Sequence, residues 1–162
     1  MKFDSGSLNC GHPCSYSVEG HGSRCRTRAG SSGSDSDFGC CPVAGLRGFK
    51  RNRSLDRSAS HKASDILRCD VFSHDACGRP FTFWIEKKYA KRQCWSAGEN
   101  IAWGTKPVGG VRDIFKAWMH SPGHRNAILS RRYTDIGIGF RVGAFRGRQS
   151  TRVWVQHFGQ IR

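Results

Sequence analysis

The sequence predicts an α+β fold, and three observations predict it. Apolar residues recur at three- and four-residue steps over 55–68, and the same period returns over 111–120. Two stretches of strict alternation then follow, at 136–142 and 153–158, joined by a short connection. Helices first and an antiparallel hairpin last argue against a wound parallel sheet.

The elements follow in order. Residues 1–43 hold sixteen Gly or Ser and few apolar side chains, and no regular period runs through them. Such a composition cannot bury enough surface to offset chain entropy, so a disordered tail is expected there. Cys10, His12, Cys14, His21 and Cys25 fit no standard zinc spacing. The ordered domain is expected over 44–160. In its first helix, Leu55, Ala59, Ala63, Ile66 and Leu67 form one apolar stripe, with Ser54 as the expected N-cap. A second helix is expected over 79–89, with Pro80 in its first turn and Phe81, Trp84, Ile85 and Lys88 on one face. Gly98 to Gly104 reads as a short extended segment. In the 111–120 helix, Val111, Ile114, Phe115, Trp118 and Met119 share a side. Ser121-Pro122-Gly123 ends it, because proline disfavours helix in the residue before it. A helical turn is expected over 124–130, and residues 143–150 form the hairpin loop.

Composition bounds the function. The net charge is +15, and residues 1–43 sum to zero, so the whole excess lies in 44–162. A basic domain attracts polyanions: nucleic acid, anionic lipid or acidic cell-wall polymer. The basic residues are scattered rather than gathered on one helix, which argues against specific nucleic-acid recognition. No run approaches the length of a transmembrane helix. Eight cysteines suggest an oxidising compartment, yet residues 1–20 offer no apolar signal-peptide core.

Four patches carry the chemistry: Phe72-Ser73-His74, Gly98-Glu99-Asn100-Ile101-Ala102, Trp118 through Arg125 with Ser121-Pro122-Gly123-His124 at its centre, and Val153-Trp154-Val155-Gln156-His157-Phe158-Gly159. With the Ile136-Gly137-Ile138-Gly139 strand, these motifs resemble the CAP superfamily in order and spacing. That superfamily includes cysteine-rich secretory proteins, venom antigens and plant pathogenesis-related proteins, and the Ser-Pro-Gly-His-Arg form resembles its bacterial branch. The resemblance spans about residues 45–159. It implies an α-β-α sandwich around a central antiparallel sheet, an extracellular or envelope location, and a cleft where a His-Glu-Glu-His tetrad holds a divalent cation. His74, Glu99 and His124 fill three of its places. The fourth, a glutamate in eukaryotic members, falls near Ser121.

Two imidazoles and one carboxylate suit zinc, with a position left for water. Asn100 and Gln156 are the expected supports of that set. The competing reading is that Glu99 and the histidines hydrogen-bond one another and hold the cleft together without metal. His157, His120 and His61 read as ordinary strand or surface histidines, and Trp103, Trp118 and Trp154 as core aromatics. Gly137 and Gly139 read as positions where a helix packs closely on the sheet. Cys77 and Cys94 flank the 79–89 helix. A bridge between them would pin the His74 loop to the approach to Glu99 and contribute about 2–4 kcal/mol, with Cys69 as the competing partner.

CAP domains normally begin with a helix before the Gly-Leu that is Gly45-Leu46 here. The stretch 34–42 has no apolar stripe, so that first helix is expected to be missing or altered, and residues 1–43 not to be the native start. The expected function is a monomeric, secreted or envelope-exposed domain whose cleft binds a small or lipid-like ligand. A metal-dependent hydrolase using the same cleft and a basic polyanion binder are the alternatives.

Overall fold

The structure, a computed structural model, describes residues 2–5, 48–90 and 94–162. In chain order the elements are β1 (Lys2–Ser5), β2 (Lys50–Arg51), α1 (Arg53–Cys69), a 3-10 turn (Ala76–Gly78), α2 (Thr82–Lys88), β3 (Trp95–Gly104), α3 (Val111–His120), α4 (Pro122–Ile128), β4 (Asp135–Phe145) and β5 (Arg148–Ile161). The strands form one sheet in the order β1-β3-β5-β4-β2. β3, β5 and β4 are antiparallel neighbours, and β1 adds to β3 in the same sense. The two-residue β2 runs parallel to β4, so the sheet is mixed at that edge. Of the expected disordered tail, residues 2–5 form β1. The cysteines and histidines between 10 and 25, and the stretch 34–42 of the altered first helix, lie outside the described residues.

α1 forms because its buried side chains Leu55, Ser58, Ala59, Lys62, Ala63 and Ile66 repeat at helical spacing. Its cap is Asn52, two residues before the expected Ser54. The Asn52 Oδ1 accepts from the backbone N–H groups of Ser54 and Leu55, satisfying two donors that the first turn leaves open. The helix lies across one face of the sheet, over β4 and β5. β4 is shaped for it. A Cβ on Gly137 would stand 2.1 Å from the Leu55 carbonyl carbon, and one on Gly139 2.2 Å from that of Ala59. Any side chain there would collide with the helix backbone. These two glycines therefore set the helix-to-sheet distance, as the sequence suggests.

The other face carries α3 and α4. Ile114 and Trp118 pack on Ala102, with Ile128 and Trp154 beside them. Alternation along β3 divides the two layers: Ile101 joins the core under α1, and Ala102 the core under α3. Trp118 is buried, while Trp103 and Trp154 pack against the two cores from partly buried positions.

Three expectations change. The 79–89 helix begins later, at Thr82, because the chain first makes the 3-10 turn. The 143–150 loop is mostly strand. β4 and β5 meet through Arg146 and Gly147, both at positive φ (48° and 71°), the geometry of a tight two-residue hairpin turn. The disulfide joins Cys69 to Cys77, not Cys77 to Cys94. Asp70 ends α1 in the left-handed conformation, and the chain doubles back until the two Cα atoms are 5.5 Å apart. The bridge ties the end of α1 to the far side of the loop that carries His74. Cys94 lies exposed just before β3, on the other side of α2 in the chain.

Candidate functional site

Glu99 sits in the middle of β3 and is directly opposite His157 of β5. Both side chains point to the α1 face and are fully buried. His157 Nε2 donates to Glu99 Oε2 at 2.7 Å, and His74 Nδ1 donates to Glu99 Oε1 at 2.6 Å. The Ser58 hydroxyl of α1 lies 2.7 Å from His157 Nδ1, within hydrogen-bond distance. A continuous line of hydrogen bonds thus runs Ser58–His157–Glu99–His74. His74, on the loop after α1, reaches solvent with 14% of its side chain exposed.

Burial by itself would push the Glu99 carboxyl up. The hydrogen bonds from His157 and His74, helped by the nearby charges of His157 and Lys62, outweigh it and hold the carboxyl down to about 2. Glu99 is therefore an ionised carboxylate inside the domain, and both its oxygens are occupied. Lys62, one turn beyond Ser58 on α1, is 2% exposed. Its ammonium donates to the His74 carbonyl oxygen. Burial lowers the Lys62 amine, while Glu99, Asp75 and Asp65 act to keep it charged. Lys62 thus helps balance the Glu99 charge and fixes the His74 loop at once.

A second anchor holds α2 against α1. Asp65, buried on α1, accepts from both Arg79 and Arg68 and from the Trp84 indole N–H at 2.7 Å. Burial alone would raise the Asp65 carboxyl, but these donors together lower it.

Asn100 follows Glu99, so its side chain leaves the opposite face of the sheet. There the Asn100 amide donates to Gln156 Oε1 at 3.0 Å and to the His124 backbone carbonyl at 3.2 Å. His124 is buried near the start of α4, and its Nδ1 lies 2.7 Å from the hydroxyl of Ser121, the residue that caps α4. Of the expected residues, the fold brings His74 and Glu99 together. It joins Ser121, Asn100, Gln156 and His124 in a separate group on the other face.

This arrangement bears on the implied cation. Among the described residues, no group of three or more His, Cys, Asp or Glu side chains converges at metal-ligating geometry. Glu99 already accepts an imidazole N–H at each oxygen. As they stand, His74, Glu99 and His124 do not form a three-donor set.

Sequence reasoning missed His157, Ser58 and Lys62 as members of the network. A signal for each was present. His157 continues the inward alternation of Val153 and Val155, and a buried imidazole needs a partner. Ser58 and Lys62 are four apart and lie within the apolar stripe of α1, where a polar residue must be satisfied from the sheet below. His61 and His120 are exposed, as expected, and His61 stacks on Trp84 at 4.3 Å.

A sheet with α1 on one face, α3 and α4 on the other, and a buried Glu99 held by His74 defines a domain of the CAP type. The chain belongs to the Cysteine-rich secretory protein (CAP) family, whose model matches residues 42–158. It is similar to the uncharacterized protein YkwD of Bacillus subtilis (strain 168), with 34% identity over 120 residues, which is 70% of this chain and 40% of that relative. The chain thus spans less than half the length of its curated relative. Two solved structures share the fold. An outer surface protein from Borrelia burgdorferi matches with a TM-score of 0.59 and 20% identity, over 72% of this chain and 80% of that one. An extracellular protein containing a SCP domain from Bacillus anthracis str. Ames matches with a TM-score of 0.55 and 24% identity, over 72% of this chain and 34% of that one.

Proposed function

We propose that this chain is an extracellular or envelope-exposed binding domain whose cleft at His74 takes a small or lipid-like ligand. One observation carries the reading. His74 is the solvent-reaching end of a hydrogen-bond line whose other members are fully buried. The Phe81 ring stands edge-on 6.4 Å away and supplies an apolar neighbour to the His74 imidazole. A fixed polar group beside an apolar wall is the usual making of a small-ligand site.

The geometry favours binding over turnover. Ser58, His157 and Glu99 follow the order of a hydroxyl, a base and an acid, but all are sealed beneath α1, where a substrate carbonyl cannot reach the hydroxyl. The location rests on family membership and on the extracellular and outer-surface proteins that share the fold. No helix among the described residues is long and apolar enough to cross a membrane.

The test is an NMR titration of the full chain with palmitate and, separately, with zinc. Palmitate is expected to move the His74 and Phe81 resonances and to lose that effect in His74→Ala. If neither probe moves them, the cleft reading fails. A zinc affinity that falls in each of His74→Ala, Glu99→Gln and His124→Ala would replace the ligand reading with a cation site formed by rearrangement.

A further inference from the structure

A different part of the surface carries its own chemistry. At the far end of the sheet, the segment after β3 and the β4–β5 hairpin border an open pocket of about 400 Å³. Its lining residues are Thr105, Lys106, Val142, Gln149, Ser150 and Arg152. Two are cations, three carry hydrogen-bonding hydroxyl or amide groups, and none is acidic. Such a set suits a phosphate or phosphodiester anion, which needs several donors and a balancing positive charge. Ser150 holds a positive φ of 57° in the cavity wall, a conformation side chains rarely adopt within a strand.

The remaining lining residue, Val142, ends a row of exposed apolar side chains. Ile138, Phe140 and Val142 alternate along β4 on the face away from α1, and are 41%, 38% and 53% exposed. The row continues sideways. Phe140 packs on Trp154 at 4.2 Å between ring centroids, and the Trp154 indole N–H donates to the Gly109 carbonyl just before α3. There Val111 and Phe115, one turn apart, are 62% and 50% exposed. An anion pocket thus opens onto an uncovered apolar surface, on a chain with a net charge of +15. This pairing of a polar recess with an apolar shelf matches a phospholipid at an interface. The head group is anionic, and the acyl region lies beside it.

We propose that the Lys106–Arg152 cavity and the adjoining β4 face form a docking site for an anionic phospholipid surface, separate from the His74 cleft. The positive charge of the domain draws it to the membrane, the cavity takes the head-group phosphate, and Phe140 with Val142 enters the interfacial layer.

The experiment is co-sedimentation of the full chain with vesicles of phosphatidylglycerol and phosphatidylcholine, and with pure phosphatidylcholine. Binding is expected only to the anionic vesicles. Lys106→Ala and Arg152→Ala should each weaken it about fivefold, the usual worth of a basic residue at an anionic surface. Lys87→Ala, which removes the same charge from α2, should leave it within about twofold if the charge acts through the cavity rather than through the overall field. Phe140→Ser should weaken binding further, with the fold retained by circular dichroism. Equal losses for Lys87→Ala and Lys106→Ala would overturn the site, since binding would then follow net charge alone. Inorganic phosphate that moves the Lys106 and Arg152 amide resonances, with no vesicle binding, would overturn the membrane assignment. A dimer that Phe140→Ser dissociates, with no vesicle binding, would assign the apolar face to a second copy instead.

Discussion

The two faces of β4 meet different environments, and the residues record it. On the α1 side are Gly137 and Gly139, with no room for a methyl group. On the other side Ile138, Phe140 and Val142 stand in the open. One strand thus carries its smallest residues where packing is tightest and large apolar ones where they stay partly exposed. The same division holds for β3. Glu99 faces α1 and belongs to a line of buried polar groups, whereas Asn100 faces the α4 side and braces a helix. Stability and the buried charge are concentrated on the α1 face. The exposed apolar row lies on the other.

This comparison can be broken most sharply at Glu99. Replacing it with alanine leaves the Lys62 ammonium buried without its carboxylate and should cost about 3–5 kcal/mol, measured by urea unfolding. Gly139→Val drives a side chain into the Ala59 carbonyl and should cost about 3 kcal/mol. Trp84→Phe removes one donor from buried Asp65 while two arginines remain, and should cost about 1–2 kcal/mol. Phe140→Ser, on the same strand as Gly139 but on the open face, loses only its contact with Trp154 and should cost about 1 kcal/mol. If Phe140→Ser proved as damaging as Gly139→Val, the two faces would not differ as described.

Acid provides a graded version of the same test. The folded carboxyl of Glu99 lies at about 2, below its ordinary value of 4.5. The unfolded chain therefore takes up a proton first as pH falls. The stabilisation from Glu99 is complete above about pH 4.5 and is lost progressively toward pH 2. Glu99→Gln should flatten that part of the stability curve relative to the parent chain.

Much of this was legible in the sequence. The period of α1 and α3, the alternation of β4 and β5, and the close approach at Gly137 and Gly139 follow from local pattern. His74 and Glu99 were visible as partners through family motifs. The disulfide was not, because the choice between Cys69 and Cys94 depends on a left-handed turn at Asp70 that spacing does not reveal. The grouping of Asn100 with His124 rather than with Glu99 was hidden for a related reason. A motif gives the order of residues along the chain, whereas the strand pleat decides which face each side chain takes. The role of His157 was masked by its neighbours, since an inward position in a strand of valines reads as core until its partner across the ladder is known.

The central claim is that Glu99 is an ionised carboxylate clasped between two imidazoles inside the domain. A carbon-13 NMR titration of its side-chain carboxyl tests this most directly. The Glu99 signal should stay in its ionised position down to about pH 2, and His157→Ala should raise the midpoint. A Glu99 carboxyl that titrates in the parent chain near the ordinary glutamate value of 4.5 would contradict it.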